Sequence, residues 1–200
     1  MLTVRGDRGA VIVMLAALVG ASWGYLVYLS REMALMDPML AMPMARTWSV
    51  TDLLLLWLMW SIMMVAMMLP SAAPMILLFA SIQRSRREQA RPYVPTGFFI
   101  GGYILVWGMY SILAAMVQWG MHEAALLSPG MVSTSAILGG SLLVGAGLFQ
   151  FTPLKDACLS TCRSPVNFLS TQWREGARGG WAMGIRHGAY CVGCCWMLMA

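Results

Sequence analysis

Four long apolar stretches constrain this 200-residue chain more than any other feature. They cover residues 10–29, 53–82, 97–119 and 135–151, and a fifth apolar run occupies residues 188–200. A helix needs about 20 apolar residues to cross the roughly 30 Å of hydrocarbon in a bilayer. The stretches are continuously apolar rather than alternating, which is the pattern of transmembrane helices. We therefore predict an all-α fold, a polytopic transmembrane helical bundle with four full spans and an incomplete fifth.

Composition excludes a water-soluble globule. Hydrophobic residues make up 60% of the chain and charged residues only 10%, whereas soluble domains average about 45–50% and 25%. At this length a single domain is the default expectation. We therefore predict one integral membrane domain over residues 1–200, in contact with the lipid bilayer. The excess of basic residues is explained by membrane topology, and no nucleic-acid partner is expected.

The basic residues are distributed unequally between the two sides of the predicted bundle. Of the thirteen Lys and Arg residues, only Arg31 and Arg46 fall on one side. The others flank the opposite side: Arg5, Arg8, Arg84, Arg86, Arg87, Arg91, Lys155, Arg163, Arg174, Arg178 and Arg186. By the positive-inside rule that side is cytoplasmic. This predicts a multi-pass protein with a cytoplasmic N-terminus and a cytoplasmic loop over residues 152–187.

Cysteine and histidine residues are concentrated near the end of the chain. All five cysteines lie between positions 158 and 195, with one of the two histidines among them. The candidate metal ligands are Cys158, Cys162, His187, Cys191, Cys194 and Cys195. Spacings of three and four residues place members of this set on shared helix faces. Such soft donors suit Cu(I), Zn(II) or an iron–sulfur cluster. Alternatively, each cysteine is a small apolar residue buried in a membrane helix.

Methionine is unusually frequent, with 20 residues in the chain. One group lies in the predicted outer loop and comprises Met33, Met36, Met39, Met42 and Met44. A second follows a helical spacing in the second apolar stretch and comprises Met59, Met63 and Met67. Thioethers are soft ligands that prefer Cu(I), so these residues could relay the ion to the cysteines. The alternative is that they only fill space between helices.

Three blocks of the sequence resemble a bacterial family of predicted metal-binding integral membrane proteins of unknown function. The blocks are WLMWSIMMVAMMLPSAAPM, GLFQFTPLKDACLSTCRSP and GIRHGAYCVGCCWMLM. The resemblance implies a multi-helix protein of the bacterial inner membrane. It also implies that the five cysteines and His187 are the residues behind the metal-binding description. Members of the family continue with further apolar helices past the position of Ala200.

The functional hypothesis is a soft-metal-binding inner-membrane protein, most simply for Cu(I), that acts in metal transport or delivery. A partner subunit or a metal-receiving enzyme would take the ion. The alternative is a membrane redox protein with haem or an iron–sulfur or thiol centre, but no motif of a known enzyme class is present. The thirteen residues from 188 onwards give about 20 Å of helix. We therefore expect further chain or a partner to complete the fifth span.

Overall fold

The computed structural model describes residues 3–35, 49–124 and 135–199. Within these ranges every regular element is a helix, which confirms the predicted all-α bundle. The helices are α1 (Thr3–Leu35), α2 (Val50–Glu88), α3 (Thr96–Glu123), α4 (Ala136–Phe149), α5 (Pro153–Cys162), α6 (Pro165–Gln172) and α7 (Gly176–Met199).

Three helices in the described ranges are long and apolar enough to cross a membrane, namely α2, α3 and the Gly9–Glu32 part of α1. A fourth span is possible if α4 and α5 count together, although they are bent by 65° at the break between them. With 14 residues, α4 alone is about 21 Å long and shorter than the predicted 135–151 stretch. The bend arises because Thr152 and Pro153 start a new helix: the Thr152 side chain caps Lys155 N–H, and proline is favoured in a first turn.

The connection between residues 152 and 187 is mostly helical rather than an open loop. It contains α5, α6 and the first half of α7, which begins at Gly176 instead of near residue 188. With 24 residues, α7 is about 36 Å long. Sequence periodicity missed its first half because four glycines and two arginines interrupt the apolar pattern there. Two of those glycines, Gly180 and Gly184, lie where α7 packs closely against α3.

Close packing of α7 against α3 depends on glycine at the contact. A Cβ atom on Gly184 would lie 2.1 Å from the backbone oxygen of Phe99, and one on Gly102 would lie 2.5 Å from that of Trp181. Further along, a Cβ on Gly188 would lie 3.0 Å from Val106. Small residues permit such close approach of membrane helices. The order of these contacts shows that α3 and α7 run parallel.

Proline residues remove backbone hydrogen bonds from α2, and a side chain of α1 replaces one of the missing donors. Pro70 has no N–H to donate to the carbonyl of Ala66, four residues earlier. The indole Nε1–H of Trp23 in α1 donates to that oxygen instead, at 3.2 Å. A freed carbonyl in a membrane helix needs such a partner. This bond ties α1 to the middle of α2.

The segment from α4 to α6 runs antiparallel along α7. Phe149, early in this segment, packs on Trp196 near the end of α7, with ring centroids 5.6 Å apart. Phe168, later in the segment, packs on His187 in the middle of α7, at 5.5 Å. Between these two contacts lies α5, which carries two cysteines. The thiols of α5 are therefore brought to the level of the thiols of α7.

Candidate metal centre

Three of the candidate thiols lie on α7. Cys191 and Cys194 are almost fully buried, with 2% and 1% of their surface exposed, while Cys195 is half-buried. The Cys194 thiol donates to the carbonyl of Cys191 at 3.2 Å, a bond within its own helix. Its sulfur lies 3.4 Å from that of Cys195. The described cysteines are all free thiols.

The two thiols of α5 approach α7 from the opposite side. A Cβ atom on Gly193 would lie only 2.7 Å from the Cys158 sulfur, so that thiol sits directly against the α7 backbone. Cys162, at the end of α5, is half-buried and packs against the core cluster that contains Cys191. The structure therefore places the predicted cysteines of α5 and α7 on two packed helices that are separate in sequence, with Cys158 against the α7 backbone at Gly193. We call this group the thiol cluster.

Tyr103 is a member of this site that the sequence patterns did not reveal. Its hydroxyl donates to the backbone oxygen of Met68 at 3.0 Å and lies 3.3 Å from the sulfur of Cys191. The side chain is 1% exposed. A buried tyrosine hydroxyl needs a polar partner, but the sequence of an apolar helix that contains one tyrosine does not identify that partner. The contact spans 88 residues of chain, beyond the reach of local periodicity.

His187 lies one helical turn before Cys191 on the same buried face of α7. It is 1% exposed and enclosed by the rings of Phe99, Tyr103 and Phe168, with centroid distances of 6.0, 5.7 and 5.5 Å. Its Nδ1 atom has no hydrogen-bond partner within the described part of the chain. An unsatisfied buried nitrogen is costly and calls for an explanation, such as an ion that the site takes up.

The predicted methionine relay is only partly described. Met36, Met39, Met42 and Met44, together with the side chain of Met33, lie outside the described residues. Met59, Met63 and Met67 are half-buried. The α2 methionines buried in the same core as Cys191 belong to the neighbouring row, with Met64 at 1%, Met68 at 7% and Met75 at 1% exposure. The predicted row is less buried, and its role as a metal relay stays a prediction.

The thiol cluster lies at mid-depth in the bundle. Met68 and Tyr103 are well inside α2 and α3, and the cluster adjoins both. An ion pair between Arg86 and Glu175, at 2.7 Å, lies where α2 ends and α7 begins. Bonds from the Trp173 indole and from Arg86 lower the pKa of Glu175 below its ordinary value. The buried thiols Cys191 and Cys194 lie among apolar and aromatic groups, whereas α5 carries Lys155 and Asp156 in the same helix as its own thiols.

The donor set fits a soft ion of low coordination number. In the described ranges no group of three or more His, Cys, Asp or Glu side chains is arranged ready to hold a metal. A structural zinc site requires a closed tetrahedral set of four ligands. Thiolates are soft ligands that bind Cu(I) as well as Zn(II) and iron–sulfur clusters. The adjacent sulfurs of Cys194 and Cys195 form a smaller set than a structural zinc site needs and suit an ion of low coordination number.

Comparison with known proteins places this chain in a family. A family profile named PpoB2, described as "Copper chaperone", matches residues 57–200. The matched range contains all five cysteines, His187 and Tyr103, and it excludes α1. No curated protein and no solved structure matches the chain. Because the profile covers well over half of the sequence, the chain belongs to this copper chaperone family.

Proposed function

We propose that the protein binds Cu(I) in the thiol cluster, within the bacterial inner membrane, and delivers the ion to a metal-receiving protein. The observation that carries this proposal is the packing of α5 against α7, which puts Cys158 against the α7 backbone and Cys162 against the core that contains Cys191. Family membership supports a copper-related role. The predicted topology adds a cytoplasmic N-terminus, with the lipid bilayer around the bundle.

The buried position of the thiol cluster is compatible with a site that holds no ion. A buried cysteine behaves as a small apolar residue, so the empty site is tolerated inside the bundle. A metal ion binds the thiolate, and binding therefore releases protons. Two thiolates with one Cu(I) leave a single net negative charge, which costs far less in an apolar core than two separate thiolates. Loading is thus coupled to proton release.

The different burial of the thiols supports delivery rather than permanent storage. Cys191 and Cys194 are buried, whereas Cys158, Cys162 and Cys195 are half-buried. The ion can pass between adjacent sulfurs by exchange of one thiolate at a time. We propose that Cys191 and Cys194 hold it and that the half-buried thiols exchange it with a partner. His187 would supply an additional ligand from one turn away.

A competition titration tests the binding site. Purified full-length protein is titrated anaerobically with Cu(I) against a chromogenic chelator, and a Cys162→Ser/Cys191→Ser variant is compared with wild type. We expect the Cu(I) affinity of the variant to fall by more than the 10–100-fold that is typical when a residue behind the metal ligands is replaced. A Met63→Leu/Met67→Leu variant is the matched control because it removes two half-buried soft ligands of α2. Equal affinity in the cysteine variant and wild type would refute the proposal.

The alternative proposal, a redox protein with haem or an iron–sulfur centre, has less support. A haem ligated by His187 would need the space now occupied by three aromatic rings. A visible absorption spectrum of the purified protein separates the two. Haem gives a Soret band, whereas Cu(I) or Zn(II) on thiolates is colourless. A parallel titration with Zn(II) tests the choice between those two ions.

A further inference from the structure

The buried face of α7 carries a row of soft donors that extends beyond the thiol cluster. All of α7 is described, and its buried residues other than glycine are Met183, His187, Cys191 and Cys194. Their exposed fractions are 0%, 1%, 2% and 1%. Aliphatic and aromatic side chains are the usual occupants of such a face, whereas every one of these side chains can bind a soft metal ion. We call these four residues the donor row.

The spacing of the donor row makes each side chain a neighbour of the next. Its members are four, four and three residues apart, so they lie on one face of the helix, one above the other. A step of four residues is about 6 Å along the helix axis. Met183 therefore lies one turn before His187, just as Cys191 lies one turn after it. The row reaches about 12 Å from Cys191 towards the start of α7.

His187 is the member that indicates a ligand at this end of the row. Its Nδ1 atom has no hydrogen-bond partner in the described part of the chain, although the side chain is 1% exposed. The hydroxyl of the neighbouring Tyr103 is already engaged with the Met68 carbonyl and the Cys191 sulfur. A buried polar atom without a partner costs free energy unless a bound ligand supplies one. Imidazole nitrogen is a common ligand of copper.

Met183 supplies a second donor beside this nitrogen. It lies in the same buried core as Phe79, Phe99 and Phe168, where a methionine can serve only to fill space. Filling space does not account for the unsatisfied nitrogen one turn away, whereas a Cu(I) ion held by both side chains accounts for the two together. Both donors are neutral, so the ion keeps its positive charge in an apolar core and binds there more weakly than between thiolates.

We propose that His187 and Met183 form a second, weaker Cu(I) position, through which the ion leaves the thiol cluster towards the start of α7. That end of the bundle carries the Arg86–Glu175 ion pair, and the positive-inside rule makes it cytoplasmic. The transfer is a ligand exchange without oxidation or reduction. The imidazole nitrogen binds Cu(I), the bond to the Cys191 sulfur breaks, the Met183 sulfur takes its place, and the released thiolate takes up a proton from solvent. The proposal rests on the proposed function, because the thiol cluster must load first.

X-ray absorption at the copper edge of selenomethionine-labelled full-length protein, saturated anaerobically with Cu(I), tests the proposal. We expect a copper–selenium contact in wild type that is absent from Met183→Leu. Met64→Leu is the matched control, because Met64 is also buried, at 1% exposure, but lies on α2; the contact should persist there. Copper bound by sulfur without selenium, or a selenium contact that survives in Met183→Leu, would overturn this inference and leave the proposed function intact. A protein that binds no copper would refute both.

The rate of Cu(I) release separates a ligand from a packing residue. Loaded protein is mixed with an excess of chromogenic chelator in a stopped-flow instrument, and Met183→Leu should release the ion several-fold more slowly than wild type. Met183→Cys restores a soft donor but leaves more empty space than leucine, so it should recover the rate if Met183 is a ligand. Equal rates in Met183→Leu and wild type, or slower release from Met183→Cys than from Met183→Leu, would overturn the proposal.

Discussion

Replacing Gly184 by alanine tests whether the α3–α7 contact positions the metal centre. The added Cβ would lie 2.1 Å from the Phe99 backbone oxygen, about 1.3 Å short of the 3.4 Å at which ordinary contact begins. The clash is with backbone, so no side-chain rotation relieves it and the helices must separate. Overpacking of this kind costs about 1–3 kcal/mol. The better helix propensity of alanine returns about 1 kcal/mol, which leaves a net loss of about 0–2 kcal/mol.

The separation should also reach the thiol cluster. His187 is on the same face of α7 as Gly184, and Tyr103 and Phe99 stack against it, so the 3.3 Å contact of Tyr103 with Cys191 would lengthen. We expect Cu(I) affinity to fall together with the free energy of unfolding, measured by denaturant titration in micelles. Gly108→Ala is the matched control, because a Cβ there meets nothing within 4 Å. If Gly184→Ala matched that control in stability and copper affinity, the reasoning would be refuted.

Three further predictions concern single contacts. Tyr103→Phe removes the hydroxyl beside Cys191, so it should reduce the free energy of unfolding by about 1 kcal/mol. It should also weaken Cu(I) binding several-fold in a chelator competition. An unchanged Cu(I) affinity would exclude a role of Tyr103 in positioning Cys191. Trp23→Phe should destabilise the fold by about 1 kcal/mol, because it leaves the Ala66 carbonyl without its donor, but chelator competition should give the wild-type Cu(I) affinity. The pKa of Glu175 is lowered in the fold, so its contribution to stability is complete above the ordinary glutamate pKa and is lost as the pH falls through the lowered value. Glu175→Gln should therefore flatten the acid limb of a stability–pH curve, and an unchanged limb would contradict this.

The sequence predicted the helical class and the positions of α1, α2 and α3 because long apolar runs are a local signal. It did not predict the start of α7, since the residues from Gly176 to Arg186 are glycine-rich and become helical through contact with α3. The packing of these residues depends on α3, a helix that lies far away in sequence. The bend between α4 and α5 was missed for a related reason, because the apolar pattern continues up to the Thr152 cap.

The sequence named candidate ligands, and their role as metal ligands stays a prediction. Shared helical spacing selected the cysteines and His187, and the structure places them on the packed helices α5 and α7. Tyr103 was missed because its hydroxyl is defined by contacts with Met68 and Cys191, each on another helix. Among the α2 methionines, spacing defines several equivalent rows, and only packing shows that Met64, Met68 and Met75 are buried.

X-ray absorption at the copper edge of Cu(I)-loaded protein tests the central claim most directly. The account predicts a first shell of two or three sulfur atoms in wild type, with loss of sulfur scattering in the Cys162→Ser/Cys191→Ser variant. The Met63→Leu/Met67→Leu control should keep the wild-type spectrum. A first shell dominated by nitrogen or oxygen, or a sulfur shell that persists in the cysteine variant, would contradict copper binding between α5 and α7.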